Sequence, residues 1–259
     1  MERRALIKLE DLHKSYNGTP VLRGVTVEVF KGETLCIIGG SGCGKTVTLK
    51  HIIGLERPDA GRVLFDGRDL SELSTEEMTR VRMRFGMVFQ GGALFDSLDV
   101  GENVAFPLRE HTHYSDPDIR RRVGEKLALV GLAGAESKMP VELSGGMKKR
   151  VALARAIALD PEVVLYDEPT TGLDPVTADV INELIVRAER VLQTTSVVVT
   201  HDMASVNKVA DRVVMLYEGR VLIEGTTEQI HASADPIVRR FIEGRSEGLL
   251  DPNHSGSHA

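Results

Sequence analysis

The 259-residue sequence has no tryptophan, and only 4 tyrosines and 7 phenylalanines. Binding surfaces for single-stranded nucleic acid combine basic grooves with aromatic stacking platforms. Nothing of the kind is visible here. Positive charge is not in excess either: 32 Lys and Arg stand against 38 Asp and Glu, a net charge of -6. The electrostatic footprint of a nucleic-acid partner is therefore missing. The two cysteines, Cys36 and Cys43, are too few for a disulfide framework. No apolar run approaches the ~20 residues that a membrane helix needs. The opening MERRALIKLED carries charges with no apolar stretch behind them, unlike a secretory signal. The expectation is a chain in the cytoplasm, with any membrane role exercised through a partner. No internal repeat or long heptad run is present.

What remains is ordinary for a globular protein: 42% hydrophobic and 27% charged residues, in a chain long enough to bury a large core. Residues 5–38 are rich in β-formers. LIKLEDL, VTVEVF and TLCII read as strands, with NGTP and KGE as the turns between them. RVLFD (62–66) and GMVFQ (86–90) read as further strands. Between about 100 and 160 the pattern changes. EKLALVGL and MKKRVALARAIAL carry apolar residues at helical spacing, with Met147, Val151, Ala154 and Ala158 on one face. VVLYD (163–167) and SVVVT (196–200) are then nearly continuous apolar runs, as strands covered on both faces require. Helices are expected near 176–192 and 202–210. The reading is an α/β core interrupted by helices. From Arg245 the sequence turns polar and Gly/Ser-rich, and a loosely held tail over 246–259 is expected.

The segment LCIIGGSGCGKT ends a buried strand and opens a helix. Its Gly39-Gly40-Ser41-Gly42-Cys43-Gly44-Lys45-Thr46 satisfies the G-x4-G-K-[ST] phosphate loop. Glycines let the backbone turn so that N–H groups point at phosphate oxygens. Lys45 brings a point charge to the β- and γ-phosphates, and the Thr46 hydroxyl is suited to ligate Mg2+. The helix from Lys45 to Ile53 adds the positive end of its dipole, and Gly54 is a natural stop. Thr48, within the first turn, is assigned to the nucleotide site with the loop. Downstream, VVLYDEP sets Asp167 and Glu168 at the exposed end of a strand. A carboxylate in that position orients Mg2+ in phosphate-loop NTPases, which fits Asp167. Its neighbour Glu168 is placed to polarise an attacking water. Period-two alternation leaves the two carboxylates free to serve separate tasks.

At LSGGMKKR (143–150) the pattern becomes more specific: the segment resembles the signature of ABC ATPases, usually LSGGQ. The resemblance covers about 5–245, and it implies an ATPase domain over 1–245 with a helical subdomain near 91–160 inserted in it. It implies a phosphate-loop core with an N-terminal antiparallel β subdomain. It places Tyr16 under the adenine ring, and Gln90 at the loop joining core and helices, near the metal and the reaction. GLD (172–174) resembles the D-loop, bringing Asp174 to the nucleotide, and His201 resembles the switch histidine. Such domains work as head-to-tail homodimers on ATP and Mg2+, so Ser144, Gly145 and Gly146 would contact the γ-phosphate held by the other copy. Ser144 is also a good N-cap for the helix that follows. Met147 stands where the family has Gln, and any contact of that amide is lost or rerouted.

FQGGALFDSLDVGENVAFPLREHT, the SGGMKKR form and DPIVRRFIEG most resemble the ATPases of Mla-type and Mce-linked lipid transporters. That likeness implies two membrane permease subunits, an Mce-domain lipid-binding component, a STAS-like small subunit, and residence on the cytoplasmic face of the inner membrane. The segment after Gln90 would then form the groove for a permease helix. Leu94, Phe95, Leu98, Val100, Val104 and Phe106 are candidates for its apolar lining or for the core. The rivals are a motor for another cargo, a nucleic-acid machine, and a nucleotide-binding module without hydrolysis. The second lacks its usual paired ATPase halves or coiled coil here, and the third is opposed by intact Lys45, Asp167, Glu168 and His201. Cys36 reads as a core residue. Cys43 reads as a tolerated small residue whose pKa a helix N-terminus would lower. His111, His113, His254 and His258 lack the companions of a zinc site. Lys148, Lys149 and Arg150 read as a solvated face.

Lys45→Ala removes a charge-assisted contact worth about 1.5–3 kcal/mol. ATP affinity, measured by titration, is expected to fall by roughly tenfold to a hundredfold. Unchanged affinity would remove the phosphate-loop assignment.

Overall fold

The computed structural model describes residues 4–244; the expected tail at 246–259, with His254 and His258, lies outside them. The N-terminal strands β1 (Ala5–Tyr16) and β2 (Thr19–Phe30) form an antiparallel hairpin that pairs Tyr16 with Thr19. Asn17 and Gly18 between them both take positive φ, 52° and 80°. A two-residue turn of this kind matches the right-handed twist of its strands, and Asn-Gly supplies it at low steric cost. After β3 (Thr34–Ile38) and α1 (Lys45–Ile52), β4 (Ala60–Phe65) adds to the free edge of β1 and turns through Asp66-Gly67 into the short β5 (Arg68–Asp69). The result is a four-stranded sheet in the order β2-β1-β4-β5.

A second sheet carries the site. Helix α2 (Thr75–Arg82) leads into β6 (Phe85–Val88). Three helices follow, α3 (Val100–His111), α4 (Asp116–Leu129) and α5 (Gly145–Ala156), before the chain returns as β7 (Val163–Asp167). Next come α6 (Pro175–Leu192), β8 (Thr195–Val199), α7 (Met203–Val209), and the hairpin of β9 (Arg212–Tyr217) and β10 (Arg220–Gly225). Helices α8 (Thr227–His231) and α9 (Pro236–Glu243) close the described chain. The strand order is β10-β9-β3-β8-β7-β6, with β3, β6, β7, β8 and β9 parallel to their neighbours and β10 antiparallel.

Every residue of β3, β7 and β8 is buried. Their side chains divide by alternation, as the pleat requires. Leu35, Ile37, Leu165, Val197 and Val199 join the core shared with β1 and β2. Cys36, Ile38, Val164, Tyr166 and Val198 join the core shared with the helices. Met147, Val151, Ala154 and Ala158 all contribute to this helical side. The hairpin over 212–225 is absent from the sequence reading, although Glu218 and Gly219 repeat the same turn with φ of 48° and 77°. Helix α2 was likewise unread, yet Ser74 and Glu77 form a full capping box at its start.

One buried ion pair ties the two sheets together. Glu33, in the turn after β2, accepts from Arg212 of β9 through both oxygens, at 2.5 and 3.2 Å. The same guanidinium reaches Glu224 and the Glu28 carbonyl, and stacks 4.9 Å from the Phe30 ring centre. Arg212→Ala leaves Glu33 buried without its countercharge, and losses of this kind are about 3–5 kcal/mol. Urea unfolding checks this; a loss under ~1 kcal/mol would put the pair in the class of solvated surface bridges.

Candidate active site

The C-terminal ends of β3, β7 and β8 lie side by side, the usual place for a ligand in an open parallel sheet. The loop after β3 is shaped by close approach. A Cβ on Gly39 (φ 146°) would stand 2.3 Å from the Leu216 carbonyl oxygen, and one on Gly44 (φ 103°) would meet Leu22 at 2.5 Å. Gly44 begins α1, which has no side-chain cap. Every other α-helix among the described residues starts with a Ser, Thr or Asp accepting from its first turn. The first amides of α1 are thus left for an anion.

Lys45 is 9% exposed, and its ammonium donates to the Gly39 and Gly40 carbonyls at 2.8 and 3.0 Å. Thr46 Oγ1 donates to Asp167 Oδ1 at 3.0 Å, which joins the phosphate loop to the end of β7. Burial raises the Asp167 carboxyl above the usual carboxylate range; Glu168 adds to the rise, while Thr46 and Lys45 oppose it. Glu168 adopts a left-handed backbone, φ 49°. It therefore departs from strand alternation and faces the same cleft as the loop. Its Oε2 accepts from Thr171 Oγ1 at 3.0 Å and pairs with His201 Nδ1 at 2.9 Å. An ionised carboxylate only accepts, so Nδ1 carries the proton in that pair. The two candidates for the catalytic role are thus one hydrogen-bonded unit. A cleft of about 330 Å3 is lined by Ser41, Gly42, Gly44, Lys45, Thr46, Val47, Gln90, Glu168 and His201.

Other expected residues lie elsewhere in the chain. Tyr16, half exposed, donates its hydroxyl to Glu56, and burial together with that carboxylate pushes its pKa up to about 12. Ser144 caps α5 through the Met147 amide at 3.3 Å, with Gly145 exposed beside it. Gly146 is buried, and a Cβ there would meet Thr177 Cγ2 at 2.4 Å. Asp174 caps α6, accepting from Val176, Thr177 and the Thr177 hydroxyl. None of these lines the cleft of their own chain.

Three expectations need correction. Thr48 is fully buried, and its hydroxyl donates back to the Gly44 carbonyl at 2.9 Å; the cleft is lined by Val47 instead. One step of helical rotation turns Thr48 inward. The Cys43 side chain packs into the core, and burial raises its pKa against the opposing pull of Lys45. Lys149 is buried, not solvated: its ammonium donates to the carbonyls of Gln90 and, at 3.4 Å, of Glu168. Burial pulls its pKa down, while the Asp167 and Glu168 carboxylates hold it up. Helical spacing alone shows that Lys149 shares no face with Lys148, but not that a carbonyl pair waits behind it. Among the described residues no group of three or more His, Cys, Asp and Glu is placed to hold a metal ion.

The fold and this cleft define a phosphate-loop NTPase carrying a capped LSGG helix remote from its own loop. The family model described as ABC transporter matches residues 22–171. The intermembrane phospholipid transport system ATP-binding protein MlaF of Haemophilus influenzae is 46% identical over 94% of this chain and 92% of its own length. The probable ribonucleotide transport ATP-binding protein mkl of Mycobacterium tuberculosis is 43% identical, over 94% of this chain and 68% of its own. A dimeric ATP-binding cassette solved in a post-hydrolysis state with ADP and Pi has a TM-score of 0.78 and 33% identity, covering 85% of this chain and 98% of that one. Clostridium perfringens cbiO1, part of the ABC transporter complex cbiONQ, has a TM-score of 0.81 and 32% identity, covering 92% and 95%. The chain belongs to the ABC transporter ATP-binding family and is an ATPase.

The raised pKa of Cys43 makes its thiolate scarcer at neutral pH, the opposite of a helix-activated thiol. Maleimide labelling of the native chain at pH 7 is expected to be at least about tenfold slower than that of a free thiol, and to rise with pH. Labelling as fast as a free thiol would show an exposed side chain.

Proposed function

We propose that this chain is the motor of a bacterial lipid transporter, moving phospholipid or a related lipid between membranes. The observation that carries the ATPase mechanism is the division of the site. One face of the chain holds Lys45, Thr46, Asp167, Glu168 and His201 together, while Ser144 and Gly145 stand exposed away from that cleft. Two copies arranged head to tail bring each signature to the other's phosphate loop, with Asp174 between them and Tyr16 against adenine. The 91–160 segment is the subdomain that carries the signature in this reading. The dimeric state of the solved cassette with ADP and Pi supports it. The 1–245 span forms one ATPase domain in the same reading.

The donors at the end of β7 fit Mg2+. Thr46 hydroxyl and Asp167 carboxylate are 3.0 Å apart, and Gln90 lines the same cleft. Hard oxygen ligands of this type suit a small divalent cation beside phosphates. When bound, the ion neutralises phosphate charge. The loop amides and Lys45 hold the β- and γ-phosphates, and the Glu168 carboxylate accepts a proton from, or aligns, the attacking water. His201 fixes that carboxylate through Oε2.

Among the described residues no helix is long and apolar enough to cross a membrane. The chain is accordingly proposed to sit peripherally on the cytoplasmic face, held by two permeases. A groove of about 520 Å3 lies between β6 and the C-terminal half of α3, with Phe89, Phe95 and Phe106 exposed in it. The Phe95 and Phe106 rings meet at a tilt of 48° with centres 4.8 Å apart, and a permease helix is the proposed occupant. Val100 and Val104 are fully buried and belong to the core, not the groove. An Mce-domain component and a STAS-like subunit complete the proposed complex. The lipid cargo rests on the resemblance to the phospholipid system. The mkl name favours ribonucleotide instead. Stimulation of ATPase by phospholipid or by ribonucleotide in the reconstituted complex separates them.

Glu168→Gln keeps shape but not basicity. Turnover is expected to fall by about 10²–10⁴, or roughly 3–5 kcal/mol of barrier. ATP binding should persist and the dimer should be trapped, which light scattering detects. Near-normal turnover, with collapse only in His201→Ala, would hand the catalytic role to the histidine.

A further inference from the structure

Helix α5 begins at the signature and runs behind the cleft. Its second turn is not needed to cap the helix. Yet Lys149, on this helix, is 7% exposed and directs its ammonium at two main-chain carbonyls. These belong to Gln90 and Glu168, two residues that line the cleft. A buried ammonium costs several kcal/mol of solvation unless carbonyls and anions replace the water. Here the carbonyls do so directly, and Asp167 and Glu168 supply the nearby negative charge.

The peptide of Glu168 is held from both sides. Its N–H donates to the Val199 carbonyl of β8 at 2.9 Å, and its carbonyl accepts from Lys149 of α5. Between these contacts the residue keeps φ 49°, a conformation that a non-glycine residue keeps only when its surroundings over-determine it. That conformation is what turns the carboxylate into the cleft and toward His201. A second cation of the same helix, Arg155, donates to the Gly92 carbonyl at 2.9 Å and so holds the other end of the loop that starts at Gln90.

We propose that Lys149 is a positioning residue for ATP hydrolysis: it ties the signature helix to the Gln90 and Glu168 backbones and so sets the attitude of the Glu168 carboxylate. The proposal rests on the reading of Glu168 given above. It adds a residue whose side chain does not line the cleft, and that acts through two residues that do.

Lys149→Met keeps the length and removes the charge and donors. In the full-length chain, kcat is expected to fall by about tenfold to a hundredfold, the scale of a small misplacement of a catalytic group. ATP affinity, measured without turnover, should stay within about threefold, since the loop amides and Lys45 are untouched. Lys149→Arg should restore most of the rate. In a Glu168→Gln background, Lys149→Met should add less than about twofold, because residues acting as a unit are non-additive. If Lys149→Met fails to fold, Lys149→Gln, which keeps one donor, carries the same test. Wild-type turnover in the Lys149 variant, beside collapse in Glu168→Gln, overturns this inference and leaves the Glu168 reading intact. Normal turnover in Glu168→Gln alone overturns that reading instead. Equal losses of kcat and affinity, no rescue by Arg, or full additivity with Glu168→Gln would reduce Lys149 to a structural contact.

Discussion

The uncapped start of α1 is the constraint on which the rest of the molecule depends. A helix begins with amides that need partners, and here no side chain supplies them. The arrangement demands a strand that ends directly beneath the helix, which is β3. It demands glycines where Leu216 and Leu22 come too close for any Cβ. It also demands neighbours that bring charge of the right kind to the same spot. Lys45 comes from the helix itself, Asp167 and Glu168 from the end of β7, and His201 from just beyond β8. Parallel strands deliver all of these to one edge because they run the same way.

The apolar burial of β3, β7 and β8 makes that edge rigid. With one set of side chains facing the antiparallel sheet and the other facing the helices, neither face can slip by a residue without exposing its core. The Glu33–Arg212 pair ties the two sheets from outside this apolar layer. Rigidity here has a chemical use. The left-handed Glu168 backbone costs about 1–3 kcal/mol, and only a firm frame holds such a residue in place. The strained residue is the one whose carboxylate meets His201.

The sequence motifs divide into those that share a cleft and those that do not. The loop residues Ser41, Gly42 and Gly44 to Thr46, with Gln90, Glu168 and His201, line one cavity. Ser144, Gly145 and Asp174 are occupied as caps or exposed on other surfaces. Capping and ligand binding are not exclusive, since a capped helix start still offers its outermost amides. For this family, a site split between two faces is what a second copy can complete.

Much of the fold was legible because its signals are local. The nearly continuous apolar runs at 163–167 and 196–200 announce strands buried on both faces, and Asn-Gly announces a hairpin. The phosphate loop and the DE pair carry their chemistry in adjacent residues. The hairpin at 212–225 was missed although its Glu-Gly turn is of the same type, because Glu is a weaker turn signal than Asn or Asp. Cys43, Thr48 and Lys149 were misplaced for a common reason. Whether a side chain on a loop or helix faces solvent, core or cleft depends on what packs against it, and spacing along the chain does not contain that. The sequence by itself determined the phosphate loop, the buried strands and the Ser144 cap, since each depends on neighbours within a few residues. Only the tertiary structure decided that Glu168 bends toward His201 and that Lys149 lies behind it, because those contacts join residues 33 and 19 positions apart in the chain.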